Sequence, residues 1–142
     1  MKKYNFLCFP LLLVLVFFML SCATRMPSLY SDSGEPLTIS EYDKIAQKEY
    51  DNERYDNAIA VYEAILKHYP DNVRASAWAN YEIGYSYFAQ KEYDTAEIYF
   101  RKVLNEYQDP ASKKLAQDML NKIVEEKDKK DKKKKKKQKD TS

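Results

Sequence analysis

Part of this chain is written twice. Residues 55–70 read Tyr-Asp-Asn-Ala-Ile-Ala-Val-Tyr-Glu-Ala-Ile-Leu-Lys-His-Tyr-Pro, and residues 93–107 read Tyr-Asp-Thr-Ala-Glu-Ile-Tyr-Phe-Arg-Lys-Val-Leu-Asn-Glu-Tyr. Both open Tyr-Asp-x-Ala, place an aromatic four residues after the Ala (Tyr62, Phe100), and close on Leu-x-x-Tyr. Ala58 and Ala96 lie 38 residues apart, and each copy follows another segment of helical period, residues 41–52 and 74–89. A unit used twice in tandem cannot bury its apolar face alone. It points to stacked copies of one supersecondary block, a solenoid.

The punctuation makes the block helical. The chain has only two glycines, Gly34 and Gly84, and Pro27, Pro36, Pro70 and Pro110 all fall at joints between periodic segments. The period-two alternation of strands is missing, so the expected class is all-α. Ala46 and Gly84 each stand 12 residues before the repeated Ala, at Ala58 and Ala96. Two small residues facing each other let a helix pair approach closely while the aromatics cover the seam.

Helix boundaries have their own signals. Ser40 with Asp43 three later reads as a capping box ahead of the first helix. Asp71 reads as the cap of the third, and Asp109-Pro110 as an N-cap followed by Pro at the first helical position. Residues 110–126 place Leu115, Met119, Leu120 and Ile123 on one stripe, as expected of a helix that caps a solenoid.

Residues 41–123 resemble a pair of tetratricopeptide (TPR) repeats, helix–turn–helix units of about 34 residues. The resemblance implies a TPR-type solenoid of two repeats plus a C-terminal capping helix. Ala46 and Gly84 take the small position of helix A, Tyr62 and Phe100 the aromatic position of helix B, and Pro70 the closing proline. Long repeats with Tyr-Pro at the joint and then Ile-Gly-x-x-Tyr are similar to a subset of TPR proteins. That subset includes the lipoprotein of the outer-membrane β-barrel assembly machinery and the periplasmic coordinator of the Tol–Pal system.

The first residues argue for export. Met1-Lys2-Lys3 is a short basic start, and Phe6 to Leu20 is nearly all apolar. Such a run is short for a membrane span, which needs ~20 apolar residues, and suits the core of a signal peptide. It ends Met19-Leu20-Ser21-Cys22. A small residue before a cysteine at that point resembles a lipoprotein signal, although Met19 stands where the common pattern prefers Leu. The resemblance implies a signal peptide over 1–21 and a lipid, diacylglyceryl with palmitate-type acylation, on Cys22. Ala23 rather than Asp follows, which in the enterobacterial sorting rule implies the outer membrane, here on its periplasmic face. Cys8 leaves with the peptide, so no thiol remains for a disulfide, a metal or nucleophilic chemistry.

Charge divides the rest of the chain. Residues 127–142 hold ten Lys against three Asp, whereas residues 22–126 hold 12 basic and 19 acidic side chains. A basic tail of +7 therefore follows an acidic body of −7. The expected organisation is a flexible tether over 22–38, a helical domain over 39–126 and a disordered lysine-rich tail over 127–142. Anionic lipid or another polyanion is a partner the tail suits. An exported protein offers no nucleic acid as a partner.

Trp78, Tyr81, Tyr85 and Phe88 share one helical face by spacings of 3, 4 and 3. On the TPR register they tend to line the concave face that holds a partner segment, and the alternative is that they pack as core. His68, the only histidine, reads as a surface residue or a favourable charge at a helix C-terminus. Glu49, Asp51 and Glu53 read as a solvated helix end. No catalytic set, metal site or cofactor is expected. The function expected is a non-enzymatic adaptor that binds envelope proteins through its concave face. The alternative is a surface lipoprotein whose basic tail binds envelope or host polyanions.

Overall fold

The computed structural model describes residues 25–139. The expected signal peptide over 1–21 and the expected lipidation at Cys22 lie outside the described residues. Within them five helices follow one another: α1 (Ile39–Asp51), α2 (Tyr55–His68), α3 (Val73–Ala89), α4 (Tyr93–Glu106) and α5 (Pro110–Lys139). Each packs on the next, and α5 also reaches α3. The arrangement is an all-α, TPR-type solenoid: α1–α2 and α3–α4 are the two repeats, and α5 covers the open end.

The repeat extends to the turns. Each helix A ends in a left-handed residue, Glu53 (φ 59) and Lys91 (φ 64), again 38 positions apart. In the first turn the amides of Glu53 and Arg54 donate to the carbonyls of Tyr50 (2.8 Å) and Glu49 (2.9 Å). In the second, Lys91 and Glu92 donate to Phe88 (2.9 Å) and Tyr87 (3.0 Å). These bonds satisfy the last carbonyls of the helix and set the angle of helix B.

Two apolar clusters form the core. Tyr42, Ala46, Val61, Tyr62, Ile65 and Ile83 fill the first, and Phe100, Val103, Ala116, Met119 and Ile123 belong to the second. In the second repeat the small Gly84 lies against Phe100 and Tyr99 of α4, and Ala96 is fully buried in the same cluster. A Cβ on Gly84 would stand 3.0 Å from Phe100 Cε1 and 3.1 Å from Tyr99 Cβ.

Several boundaries differ from the expectation. Thr38, not Ser40, caps α1. Glu41 N–H donates to Thr38 Oγ1 (3.4 Å) and Thr38 N–H to Glu41 Oε2 (2.8 Å), a complete capping box two residues earlier. Asn72, not Asp71, caps α3 by accepting from Ala75 N–H at 3.0 Å. The Asp109 cap holds, with Ser112 N–H donating to Asp109 Oδ2 at 2.8 Å. On α5 the buried stripe is Ala116, Met119, Leu120 and Ile123, while Leu115 is 37% exposed.

The segment expected as a flexible tether is built into the fold from residue 25 onward. Leu29 and Leu37 pack on the first core cluster. The hydroxyls of Tyr42 and Tyr69 donate to the carbonyls of Leu29 (2.8 Å) and Leu37 (2.7 Å). A bridge joins Tyr30 and Pro36, and Gly34 (φ 83) takes the left-handed residue of the turn between them. His68 is half-buried rather than on open surface. Its ring stacks on Tyr42 (6.3 Å) and meets Tyr30 edge-on (5.5 Å), and it stands at the C-terminus of α2. The expected disordered tail is helical to Lys139, because lysine is a good helix former and its ammonium groups favour the C-terminal end.

Glu49 is the clearest departure from a solvated helix end. It is only 6% exposed. Arg54 grips it with two bonds, Nε to Oε2 at 2.6 Å and Nη2 to Oε1 at 2.8 Å, and Asn57 Nδ2 donates to Oε2 at 2.8 Å. The Arg54 pairing, aided by Asn57, holds its pKa down at about 2 despite burial. This lock ties α1 to α2 across the turn. The second repeat lacks it, since Tyr87, Glu92 and Thr95 stand 38 residues on.

Candidate functional site: the groove between the A helices

A groove of about 640 Å³ lies between α1 and α3. From α1 come Asp43, Gln47 and Asp51, which recur every four residues and so share one face. From α3 come Trp78 and Glu82, again four apart, and Tyr62 of α2 closes the floor. The two-residue shift of the α1 cap matters here. Asp43 is not spent on a capping box and faces the groove.

Of the four aromatics expected on this surface, only Trp78 lines the groove. Tyr81 is 8% exposed and packs on Phe100 with ring centroids 5.6 Å apart, so it belongs to the core. Tyr85 stacks between Tyr81 (6.1 Å) and Tyr50 (5.6 Å), joining the two A helices. Phe88 lies against Tyr93 (5.3 Å) at the start of α4. Burial among these rings pushes the Tyr81 hydroxyl up to about 12. The stripe divides because three of its four rings pack on neighbouring helices, Tyr81 and Phe88 on α4 and Tyr85 on α1.

The carboxylates are what sequence reasoning missed. Glu82 is half-buried, and burial, reinforced by the charge of Asp43, raises its pKa to about 7. Burial raises that of Asp43 as well. Neither has an ion-pair partner among the described residues, and Asp51 accepts only from Gln47 Nε2 at 2.8 Å. Lys44 and Lys48 stand at the rim. The spacing of Asp43 with Gln47, and of Trp78 with Glu82, was the signal available in the sequence. Two unpaired carboxyls beside an indole attract a cation, by charge and by the face of the ring. Among the described residues no three His, Cys, Asp or Glu side chains converge in a way that would hold a metal ion.

Residues 44–113 match the tetratricopeptide repeat family model. The helical region is an all-α solenoid of the TPR type. No curated protein and no solved structure gives a significant match to the chain. The TPR assignment makes α1 and α3 the A helices, whose exposed faces form the concave surface of the stack, and it makes protein the expected class of partner.

The TPR groove carries a pH signature. Folded, Glu82 keeps its proton up to about pH 7; unfolded, it loses it near 4.5. The folded state therefore binds the extra proton between those values, and stability falls as pH rises through that window. Glu82→Gln removes this loss. The variant is expected to match the parent below about pH 4.5 and to exceed it by at most about 3 kcal/mol above pH 7, read from urea midpoints across the range.

Proposed function

We propose that this chain is a membrane-anchored TPR lipoprotein, a non-enzymatic scaffold that holds partner proteins in the bacterial cell envelope. The observation that carries the reading is the groove: Trp78 and Glu82 of one A helix face Asp43, Gln47 and Asp51 of the other, with Lys44 and Lys48 also on its lining and no ion pair to Asp43 or Glu82 among the described residues. An indole in a partly desolvated groove beside unpaired charge has the composition of a binding hot spot. The anchor rests on the sequence, an apolar leader ending at Ser21-Cys22. Cys22 stands three residues before Arg25, where the described residues begin, and Leu29 packs on the first core cluster, so a lipid on Cys22 would hold the first repeat close to the headgroups. Outer-membrane assembly, by likeness to the β-barrel assembly lipoprotein, is the proposed setting, on the periplasmic face.

Two measurements test this. Metabolic labelling with a clickable palmitate analogue is expected to mark the full chain, and Cys22→Ala is expected to lose both the label and membrane fractionation. Retention of both would refute the anchor. Affinity recovery of cross-linked envelope proteins from intact cells tests the groove. Trp78→Ala is expected to cost about 2 kcal/mol of binding, roughly thirtyfold in affinity, with helicity retained. Unchanged recovery would place the partner surface elsewhere.

A further inference from the structure

The groove and the C-terminal helix have complementary charge. Residues 22–126 hold 12 basic and 19 acidic side chains, and residues 127–142 hold ten Lys and three Asp. Three carboxyls (Asp43, Asp51, Glu82) and two lysines (Lys44, Lys48) line the groove; Glu82 and Asp43 have no ion-pair partner among the described residues, and Trp78 stands beside them. The burial of Glu82 makes its charge costly alone and favourable once a cation arrives.

The helix that carries the lysines leaves its own body. Lys127 is bonded to Asp94 (2.7 Å) and Glu97 (3.0 Å) at the start of α4. Lys129 pairs with Glu126 at 2.7 Å, one turn back along the helix. Lys130 and Lys134 pass the turn between α3 and α4. Residues 128–136 are exposed. At ~1.5 Å per residue a continuous helix extends further from the body with each lysine. It cannot curl back into the groove of the same chain without breaking.

We propose that the groove between α1 and α3 receives the lysine-rich C-terminal helix of a second copy of this chain. The inference rests on the groove being the partner surface, and it names the partner. The ammonium groups would sit between Asp43 and Glu82 and over the face of Trp78, while the alkyl stems cover the apolar floor. Donor and acceptor surfaces differ, so the contact is head-to-tail and propagates along a row of copies unless the geometry closes a ring.

The test uses two differently tagged full-length copies expressed together in bacterial cells. A photo-crosslinking amino acid at Gln47, an exposed groove position, is expected to give an adduct joining the two tags. Mass spectrometry is expected to place it in residues 127–142 of the other copy. Neutralising the acids (Asp43→Asn with Glu82→Gln) or the tail (Lys130→Gln, Lys133→Gln, Lys134→Gln and Lys136→Gln) should each cut its yield by roughly tenfold or more. Circular dichroism of each variant confirms the fold. An adduct to a different protein in place of the second copy overturns this proposal and leaves the groove as a partner surface. No protein adduct from Gln47 overturns both. A copy-to-copy adduct that survives both sets of charge changes, or maps outside the tail, also overturns it.

Discussion

Phe100→Ala is expected to lower stability by about 3–5 kcal/mol, the range for emptying a large aromatic site in a packed core. Phe100 is fully buried and sits where the two helices of the second repeat cross. Its ring touches the Gly84 position on α3 and packs against Tyr81. Removing it leaves a void that α3 and α4 do not readily close, because Tyr99 Cβ already stands close to the Gly84 position. Two repeats and one cap make a small core, so the loss removes much of the total. Chemical denaturation followed by circular dichroism reads it. Gly84→Ala is the opposite probe. Alanine gains about 1 kcal/mol of helix propensity over glycine. Its Cβ meets Tyr99 Cβ at 3.1 Å, a neighbour fixed to the backbone. The net result expected is a loss of about 1 kcal/mol rather than a gain. A stabilised Gly84→Ala protein would show that the helices do not pack this closely.

Glu49→Ala is expected to cost about 2–3 kcal/mol, the range for hydrogen bonds to a charged group. The substitution leaves Asn57 Nδ2 without its carboxylate partner and frees Arg54 from a two-point grip. The effect has a pH window. The folded carboxyl titrates at about 2 and the unfolded one near 4.5. The depressed value means the stabilisation is complete above the unfolded pKa and is lost as pH falls from 4.5 toward 2. Parent and Glu49→Gln should therefore converge as the medium is acidified toward pH 2. Because this lock exists only in the first repeat, hydrogen exchange in Glu49→Ala should rise at the α1–α2 turn before it rises at α3–α4. Equal loosening of both turns would contradict the local role.

The fold was legible in the sequence where one residue type admits one packing. Ala58 and Ala96, with Ala46 and Gly84 ahead of them, mark two helix crossings, and nothing larger fits there. Asp109-Pro110 begins α5 because Pro fixes the first helical residue. Signals with close rivals were less legible. Thr38 and Asn72 won the caps over Ser40 and Asp71, each a neighbour able to make the same bond. Residues 25–38 lack periodicity, so nothing local announces that Leu29 and Leu37 pack on the core. Glu49 looks like any polar residue at a helix end until the turn brings Arg54 and Asn57 onto it. The same holds for the site. The stripe from Trp78 to Phe88 lies on one face of α3, yet α3 has neighbours on two sides. Tyr81 and Phe88 pack against α4, Tyr85 packs against Tyr50 of α1, and Trp78 lines the groove. The acids that complete the groove, Asp43 and Asp51, lie eight residues apart on one face of α1, and Glu82 lies one turn after Trp78 on α3; their meaning depends on the two helices being adjacent.

Trp78 is the only tryptophan of the chain, so its emission reports the groove directly. The decisive measurement is a titration of the full chain, in detergent at low concentration, with a synthetic peptide of residues 127–142. A groove that recognises a basic segment predicts a saturable change in Trp78 emission. The change should weaken with salt as screening shortens the reach of the charges to about 8 Å and less. It should be absent from the Asp43→Asn, Glu82→Gln variant. Emission that stays constant through the titration, or that responds equally in that variant, would contradict the assignment of the groove as the binding surface for a basic segment.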